Sequence, residues 1–210
     1  MLFTVASLLV LLHGGFCDHS SENYLADDLL RFVACDALPL RDVGFEVGVG
    51  NDTVLESFPF EMVNGTAWRF RRRVQRLGDC QSTLSAGGTL RIMCPLSFAG
   101  LMAKYDVEST SIPRERSREL QFFVREGHGN MEIAATPGRP TQLTSLRLFS
   151  LKMEMREMNR LLVNPDVDAI FELKACKNVE RMLWEVLEIS YATLIREMLQ
   201  SLRPHLPTSM

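Results

Sequence analysis

Apolar and polar residues alternate with period two through the middle of the chain, from about residue 40 to residue 155. This spacing puts successive side chains on opposite faces of a strand, so it predicts a series of half-buried β-strands. The connections are too short for helical crossovers, and we therefore expect neighbouring strands to be antiparallel. The stretch "TLRIMCPL" shows the pattern, with Leu90, Ile92, Cys94 and Leu96 on one face.

Two local features modify this pattern. In "LRLFSLKMEM" the alternation slips by one residue at Phe149–Ser150, which predicts a β-bulge. The stretch "REGHGN" lies between two strand-like runs and carries Gly127 and Gly129, so it predicts a hairpin turn. His128 then becomes a solvated turn residue.

Helical spacing appears only at the two ends of this region. Leu25, Leu29, Leu30, Phe32 and Val33 predict a short amphipathic helix that ends before Pro39. Near the C-terminus, "NPDVDAIFELKAC" predicts a short helix that begins near Asn164–Pro165.

A second C-terminal helix is expected to begin at a cap residue, Asn178, and to end before Pro204. Its length is about 25 residues, or roughly 38 Å. Its apolar face is broad, so most of its circumference must be covered. The sequence therefore predicts an α+β fold, in which a strongly curved antiparallel β-sheet wraps around a long C-terminal α-helix, with a short N-terminal helix beside it.

The segment "TAWRFRRRVQRLGDC" stands out by its charge. As a strand, it places Arg69, Arg71 and Arg73 in one outward row. Trp68, Phe70 and Val74 then face the core, and Arg72 falls on the apolar side. We expect a basic surface strand, which is either a solvated face or a partner surface.

The first residues indicate export. Residues 1–17 contain no charged side chain and have an apolar run from Leu2 to Leu12, which is typical of a secretory signal peptide with a cut after Cys17. A short hydrophobic anchor is the alternative. We therefore expect a secreted, extracellular protein with one domain at residues 18–210. Two sequons, at Asn51 and Asn64, are candidate glycosylation sites of such a glycoprotein.

Four cysteines follow Cys17, which suggests two disulfide bonds in an oxidising compartment. Cys80 and Cys94 lie symmetrically about Gly87, so a hairpin centred there would place them opposite each other. Cys35 would then pair with Cys176 by subtraction. The alternative is that one or both pairs stay reduced as small buried hydrophobes.

Charge and motifs argue against several function classes. The net charge of -3 disfavours a nucleic-acid binder. The four histidines have no metal-ligand spacing, and neither a G-x-S-x-G elbow nor a phosphate-binding glycine loop occurs. We therefore expect no enzyme activity, no catalytic residue, no metal, no cofactor and no transmembrane span.

The order of several segments resembles a known group. "DALPLRDVGFEV" follows the first helix, and "GTAWRFRRRVQRLGDCQ", "GGTLRIMCPLSFAGLMAKYDV" and "LQFFVREGHGNMEI" come next, before "RMLWEVLEISYATLIREMLQSLRPHLP". Over residues 22 to 206 this layout resembles the group 7 mite allergens and, more loosely, the tubular lipid-binding superfamily of bactericidal/permeability-increasing and juvenile-hormone-binding proteins. The arginine-rich strand, the short first helix and the four cysteines depart from the allergen pattern.

The resemblance implies a non-enzymatic carrier of hydrophobic or amphipathic ligands, such as fatty acyl chains, sterol-like molecules or terpenoids. An elongated apolar groove between the sheet and the C-terminal helix would hold the ligand. The candidate lining residues are Trp68, Phe70, Ile92, Leu146, Leu148, Met153, Met155, Trp184, Leu187, Tyr191 and Leu194.

The competing hypothesis is a secreted interaction protein with a filled core. Such a protein would act through its surface, for instance by binding the phosphates of a bacterial glycolipid with the arginine-rich strand. A lipocalin-like barrel is the alternative fold.

Overall fold

The computed structural model describes residues 19–33, 35–51, 54–109, 119–156 and 165–201. The predicted signal peptide at residues 1–17 lies outside the described residues. Helix α1 spans His19–Phe32, and nine strands follow: β1 (Ala37–Pro39), β2 (Val43–Asn51), β3 (Val54–Trp68), β4 (Gln75–Arg76), β5 (Gln81–Leu84), β6 (Leu90–Ser97), β7 (Met102–Glu108), β8 (Glu119–Ala135) and β9 (Gln142–Met155). A one-turn helix, α2 (Phe70–Arg73), separates β3 from β4. The C-terminal helix comprises α3 (Pro165–Glu185), a π-helical segment (Val186–Tyr191) and α4 (Ala192–Ser201).

The nine strands form one antiparallel sheet with β8 at its centre. Strand β9 pairs with one edge of β8, while β7 and β6 pair in succession with the other edge. Strand β3 continues the sheet beyond β7 and carries β1 and β2 on its far side. Strands β4 and β5 pair with β6. The antiparallel arrangement expected from the short connections is confirmed.

The C-terminal helix contacts strands at two opposite edges of the sheet. The ammonium group of Lys174 donates a hydrogen bond of 2.6 Å to the backbone oxygen of Glu46 in β2. On the other side, the backbone N–H of Leu148 in β9 donates to the carboxylate of Glu188, at 3.2 Å. Because β2 and β9 flank the same helix, the sheet must curve around it. The predicted fold class is confirmed.

Apolar side chains from the sheet and the helix form one core. Phe60, Phe122 and Ile133 point inward from the strands and are at most 1% exposed. The helix contributes an equally buried stripe at Phe171 and Leu183. Helix α1 adds Ala26, Leu29 and Leu30, and Val33 follows directly after its end, so the predicted N-terminal amphipathic helix is confirmed.

The expected break between two C-terminal helices does not occur. Asn178 lies inside α3, where its side-chain amide donates to the backbone oxygen of Lys174, at 3.0 Å. The prediction was wrong because the buried stripe of Phe171, Ala175 and Val179 continues unbroken past this residue. Packing against the sheet therefore keeps the helix continuous through Asn178, although asparagine is suited to a capping position.

The hairpin expected at "REGHGN" is also wrong, because β8 continues without interruption from Glu119 to Ala135. Neither Gly127 nor Gly129 has a positive φ. A Cβ at Gly129 would overlap the backbone oxygen of Arg147 and lie 3.0 Å from the ring of Phe98. The glycines therefore permit close packing in a strand, and His128 is an exposed strand residue.

The predicted bulge in β9 is confirmed. His128 faces Ser150 and Gly129 faces Leu148, so Phe149 has no opposite residue in β8. Its ring is 62% exposed. The bulge keeps Leu148 and Leu151 buried on the two sides of the slip.

One of the two expected disulfides is present. Cys80 and Cys94 are bonded, with 4.2 Å between their Cα atoms. The pairing of Gln81 with Met93 in the β5–β6 ladder places these two cysteines opposite each other. Cys35 and Cys176 are free, so that pairing is wrong. The thiol of Cys35 donates to the backbone oxygen of Ala37 at 3.3 Å and lies close enough to Tyr191 to influence its pKa. Cys176 is fifteen residues earlier on the helix than Tyr191, roughly 20 Å away.

We predict that Gly129→Ala lowers the free energy of unfolding by about 2 kcal/mol or more, because the new methyl group must displace backbone. Gly44→Ala is the matched control in β2, since the nearest atom to its Cβ is 3.9 Å away. Urea unfolding of both variants checks this. Equal midpoints for the two variants would contradict the close packing of β8 against β9.

For the four cysteines in the part of the chain that the structure describes, we predict two free thiols and one disulfide. Burial raises the pKa of the Cys176 thiol from its ordinary value to about 11, and the negative charge of Glu172 adds to this shift. Its reaction with a neutral thiol reagent at pH 8 should therefore be about 100-fold slower than that of an ordinary thiol, and should accelerate as the pH rises. Cys35 should react only after denaturation. Thiol titration and mass mapping of unreduced peptides check the assignment, and a Cys35–Cys176 peptide would refute it.

Candidate functional site

Half-buried apolar side chains from β2, β3, β9 and the N-terminal half of α3 pack against the core. We call this set the apolar cluster, and it comprises Phe45, Val49, Phe58, Met153, Met155 and Ile170. Phe45 and Val49 come from β2, while Phe58 faces Val47 across the β2–β3 ladder. The two methionines are the last inward residues of β9, opposite Val124 and Phe122 in β8.

Three aromatic rings connect the apolar cluster to the core. Phe60 and Phe171 are buried, with ring centroids 4.7 Å apart. Phe45 packs on both, at 5.8 Å from Phe60 and 5.5 Å from Phe171. Since Phe45 is only half-buried, the aromatic group extends from the interior to the surface.

The polar groups beside the apolar cluster are largely paired with each other. Arg125 and Glu154 form an ion pair of 3.2 Å, and Lys174 is bound to the backbone of Glu46. The Cys176 thiol lies beside the backbone of Met155. The surface that remains for a ligand is therefore mainly apolar.

The eleven predicted lining residues are spread along the whole core. Six are buried: Phe70, Ile92, Leu146, Leu148, Leu187 and Tyr191. Five are half-buried: Trp68, Met153, Met155, Trp184 and Leu194. The structure brings Met153 and Met155 into the apolar cluster, and their role as lining residues stays a prediction.

Sequence reasoning missed the contributions of β2, β3 and α3 to the apolar cluster. The alternation in "GFEVGVG" and "ESFPFEM" marks Phe45, Val49 and Phe58 as residues of one face. No local pattern indicates that this face stays half-exposed, because its exposure depends on where β9 ends beside α3.

Phe70 and Tyr191 lie further along the helix and form a separate stacked pair, with ring centroids 5.3 Å apart. The hydroxyl of Tyr191 is buried and has no hydrogen-bond partner among the described residues, and burial raises its pKa. Tyr191 is the last residue of the π-helical segment. This pair fills the core and does not border the apolar cluster.

A shallow cleft of about 200 Å³ lies between the β8–β9 turn and α4. Its lining is Pro140, Thr141, Gln142, Leu143, Arg196 and Gln200. The cleft is smaller than the roughly 300–1,000 Å³ that is typical of small-molecule sites. It is therefore a weaker candidate than the apolar cluster.

Two further observations limit the kinds of site. Among the residues that the structure describes, no group of three or more His, Cys, Asp or Glu side chains is placed to hold a metal ion. In the same part of the chain, no helix is long and apolar enough to cross a membrane.

The basic segment after β3 is not a strand. Trp68 pairs with Ala37, the first residue of β1, and with Met102, the first residue of β7. Both neighbouring strands therefore end here, and the residues after Trp68 have no strand to pair with in these two ladders. Arg69 instead adopts a left-handed conformation with φ of 72°, and α2 follows. The interpretation of Arg69, Arg71 and Arg73 as one outward row of a strand is therefore wrong.

The helical turn changes which residues share a face. Phe70 and Val74 are both buried, as expected for positions i and i+4. Arg69, Arg71, Arg72 and Arg73 are all exposed, and we call these four residues the arginine turn. Arg72, which the strand interpretation placed on the apolar face, is therefore exposed to solvent.

Comparison with known proteins gives only distant likenesses. No family model matches the chain, and no curated protein matches it. Among solved structures it is similar to lipopolysaccharide binding protein, with 14% identity and a TM-score of 0.42 over 88% of this chain and 39% of that chain. It is also similar to Takeout 1 of Epiphyas postvittana, with 10% identity and a TM-score of 0.36 over 87% of this chain and 86% of that one.

The chain thus spans about two fifths of the length of lipopolysaccharide binding protein. Likenesses at this level do not assign a family or a ligand. The resemblance to the group 7 mite allergens stays a prediction.

We predict opposite effects of glycine at two neighbouring arginines. Arg69→Gly should raise the free energy of unfolding by about 0.5–1 kcal/mol, because glycine accepts a positive φ without steric strain. Arg71→Gly removes the same charge from a helical position and should lower it by a similar amount. Urea unfolding measures both, and a loss of stability in Arg69→Gly would contradict the left-handed conformation.

Proposed function

We propose that this protein is a non-enzymatic binder and carrier of hydrophobic or amphipathic ligands, and that the ligand binds at the apolar cluster. The observation that carries the proposal is the set of half-buried phenylalanine and methionine side chains where β9 ends beside α3. Clusters of exposed apolar side chains on a protein surface are typical of ligand-binding or interaction sites. The proposed ligand class is fatty acyl, sterol-like or terpenoid.

The apolar cluster has suitable chemistry for such a ligand. Burial of apolar surface contributes roughly 2.5 kcal/mol per 100 Å² removed from water. Met153 and Met155 have flexible, polarisable side chains that adapt to ligands of different shape. Phe45 offers a flat ring that is already held by Phe60 and Phe171, so little conformational entropy is lost on binding.

The packed core limits where a ligand can lie. The stripe from Phe171 to Leu183 and the facing strand residues are already in contact with protein atoms. We therefore place the ligand beside the N-terminal half of α3 and not along the full length of the helix. The elongated groove expected from the sequence becomes a shorter site in this proposal.

Secretion is part of the proposal. The bond between Cys80 and Cys94 supports it, because stable disulfides are typical of oxidising compartments. Asn64 is exposed, and its side-chain amide donates to Asp106 at 3.0 Å. Glycosylation at Asn64 and Asn51, like cleavage after Cys17, stays a prediction.

The second candidate is an interaction protein with a filled core. The exposed arginine turn and the tightly buried stripe of α3 favour it. A bacterial glycolipid stays an alternative partner in this case. The two candidates differ in their prediction for ligand titration.

We predict that the delipidated protein binds a fluorescent fatty acid, and that Met153→Gln combined with Met155→Gln weakens the affinity by about tenfold. Glutamine has a similar size, but a ligand chain cannot satisfy its buried amide. Met198→Gln is the matched control, because Met198 is also half-buried and lies on α4, roughly 30 Å from Cys176 along the helix.

The titration has two clear negative results. If the wild-type protein binds no apolar probe, the carrier function is refuted and the interaction protein is favoured. If the combined Met153→Gln and Met155→Gln variant binds as tightly as the wild type, the ligand lies elsewhere and the assignment of the apolar cluster fails.

A further inference from the structure

We propose that the arginine turn is a docking surface for a sulfated polysaccharide. The proposal does not depend on the apolar cluster, since Phe70 in the arginine-turn helix stacks on Tyr191, while the apolar cluster lies beside residues 170–176. The separation along the helix is roughly 25 Å. A single protein could therefore use both surfaces.

The four guanidinium groups have no acidic partners in the described structure. Arg69, Arg71, Arg72 and Arg73 are exposed, and none forms an ion pair with any described residue. Arg76, only three residues on, is half-buried and is paired with Asp27 at 3.1 Å and with Asp79 at 3.5 Å. Arg76 is thus held in ion pairs within the protein, whereas the guanidinium groups of the arginine turn are available to an external anion.

The arginine turn is held firmly in place. Phe70 and Val74 anchor it in the core, and the N–H of Val74 donates to the backbone oxygen of Phe70 at 2.9 Å. The side chain of Arg73 lies against Gly100, where an added Cβ would be 3.0 Å from its Cδ. A rigid backbone lowers the entropy that is lost when a ligand binds.

The left-handed backbone of Arg69 points to a use for its side chain. A non-glycine residue at this φ is strained, and glycine would satisfy the same backbone at lower free energy. The guanidinium is present in spite of this strain. The Arg69 guanidinium adds a fourth positive charge beside the three consecutive arginines of α2.

The geometry favours a flexible polyanion over a flat surface. Consecutive residues on a helical turn point about 100° apart, so the three arginines of α2 form a fan. A linear chain can follow such a fan, whereas a bilayer meets only one side of it. Guanidinium groups bind the oxygens of sulfate in pairs, and short arginine-rich segments are typical of heparin-binding surfaces.

Nucleic acid fits the site less well. Recognition of unpaired bases relies on exposed aromatic rings for stacking, and Phe70 is fully buried. The chain as a whole has a net charge of -3, so the attraction is confined to this surface. Binding should therefore weaken steeply as salt screens the local charge.

The test is binding to immobilised heparin by the full chain. The combined Arg71→Ser, Arg72→Ser and Arg73→Ser variant should bind at least about tenfold more weakly than the wild type, because it loses three charge-assisted contacts. The control combines Arg139→Ser, Arg147→Ser and Arg156→Ser, which removes the same charge from exposed positions elsewhere and should change the affinity by less than about twofold. Desulfated heparin should not bind.

Several results would overturn the proposal. Equal losses in the two triple variants would show that only net charge matters. Tighter binding to phosphatidylglycerol vesicles, lipopolysaccharide micelles or single-stranded RNA than to heparin, lost in the same arginine variant, would assign another partner class. If the triple variant does not fold, Arg72→Glu decides, and unchanged heparin binding by this folded variant refutes the proposal. Fatty-acid binding should be unchanged throughout, so failure here is distinct from failure of the carrier function.

Discussion

This fold depends on the contact of one long helix with two strands at opposite edges of the sheet. Lys174 binds the backbone of β2, and Glu188 binds the backbone of β9. Both contacts are polar, and each one joins a side chain of the helix to the backbone of a strand. Between them, the apolar stripe of the helix fills the concave face of the sheet. The curvature of the sheet and the continuity of the helix therefore depend on each other.

The irregular positions follow from this packing. The bulge at Phe149 keeps β9 in register with β8 while its inward residues continue to face the helix. The glycines of β8 let β9 and Phe98 approach closely. The π-helical segment includes Glu188 and Tyr191, which contact β9 and Phe70 respectively. Each irregularity thus lies where two elements must fit at short distance.

Two surfaces of different chemistry result. Beside the start of α3, β9 ends and leaves phenylalanine and methionine side chains half-exposed. Further along the helix, β3 loses its neighbours at Trp68, and the chain makes the arginine turn before it pairs with β6. Both surfaces occur where a strand ladder stops. The first suits an apolar ligand, and the second suits an anion.

The sequence alone determined the β-strand character of most of the central region, the antiparallel pairing, the N-terminal helix, the Phe149 bulge and the Cys80–Cys94 bridge, because each depends on local period or on symmetry about a turn. The tertiary structure decided the rest. "REGHGN" contains turn residues, yet its glycines permit close packing inside a strand. Asn178 is suited to a helix cap, yet the buried stripe of the helix continues past it. The arginine segment has the alternation of a strand, yet the ladder between β3 and β7 ends at Trp68. These outcomes depend on contacts between residues far apart in sequence, which a local pattern does not contain.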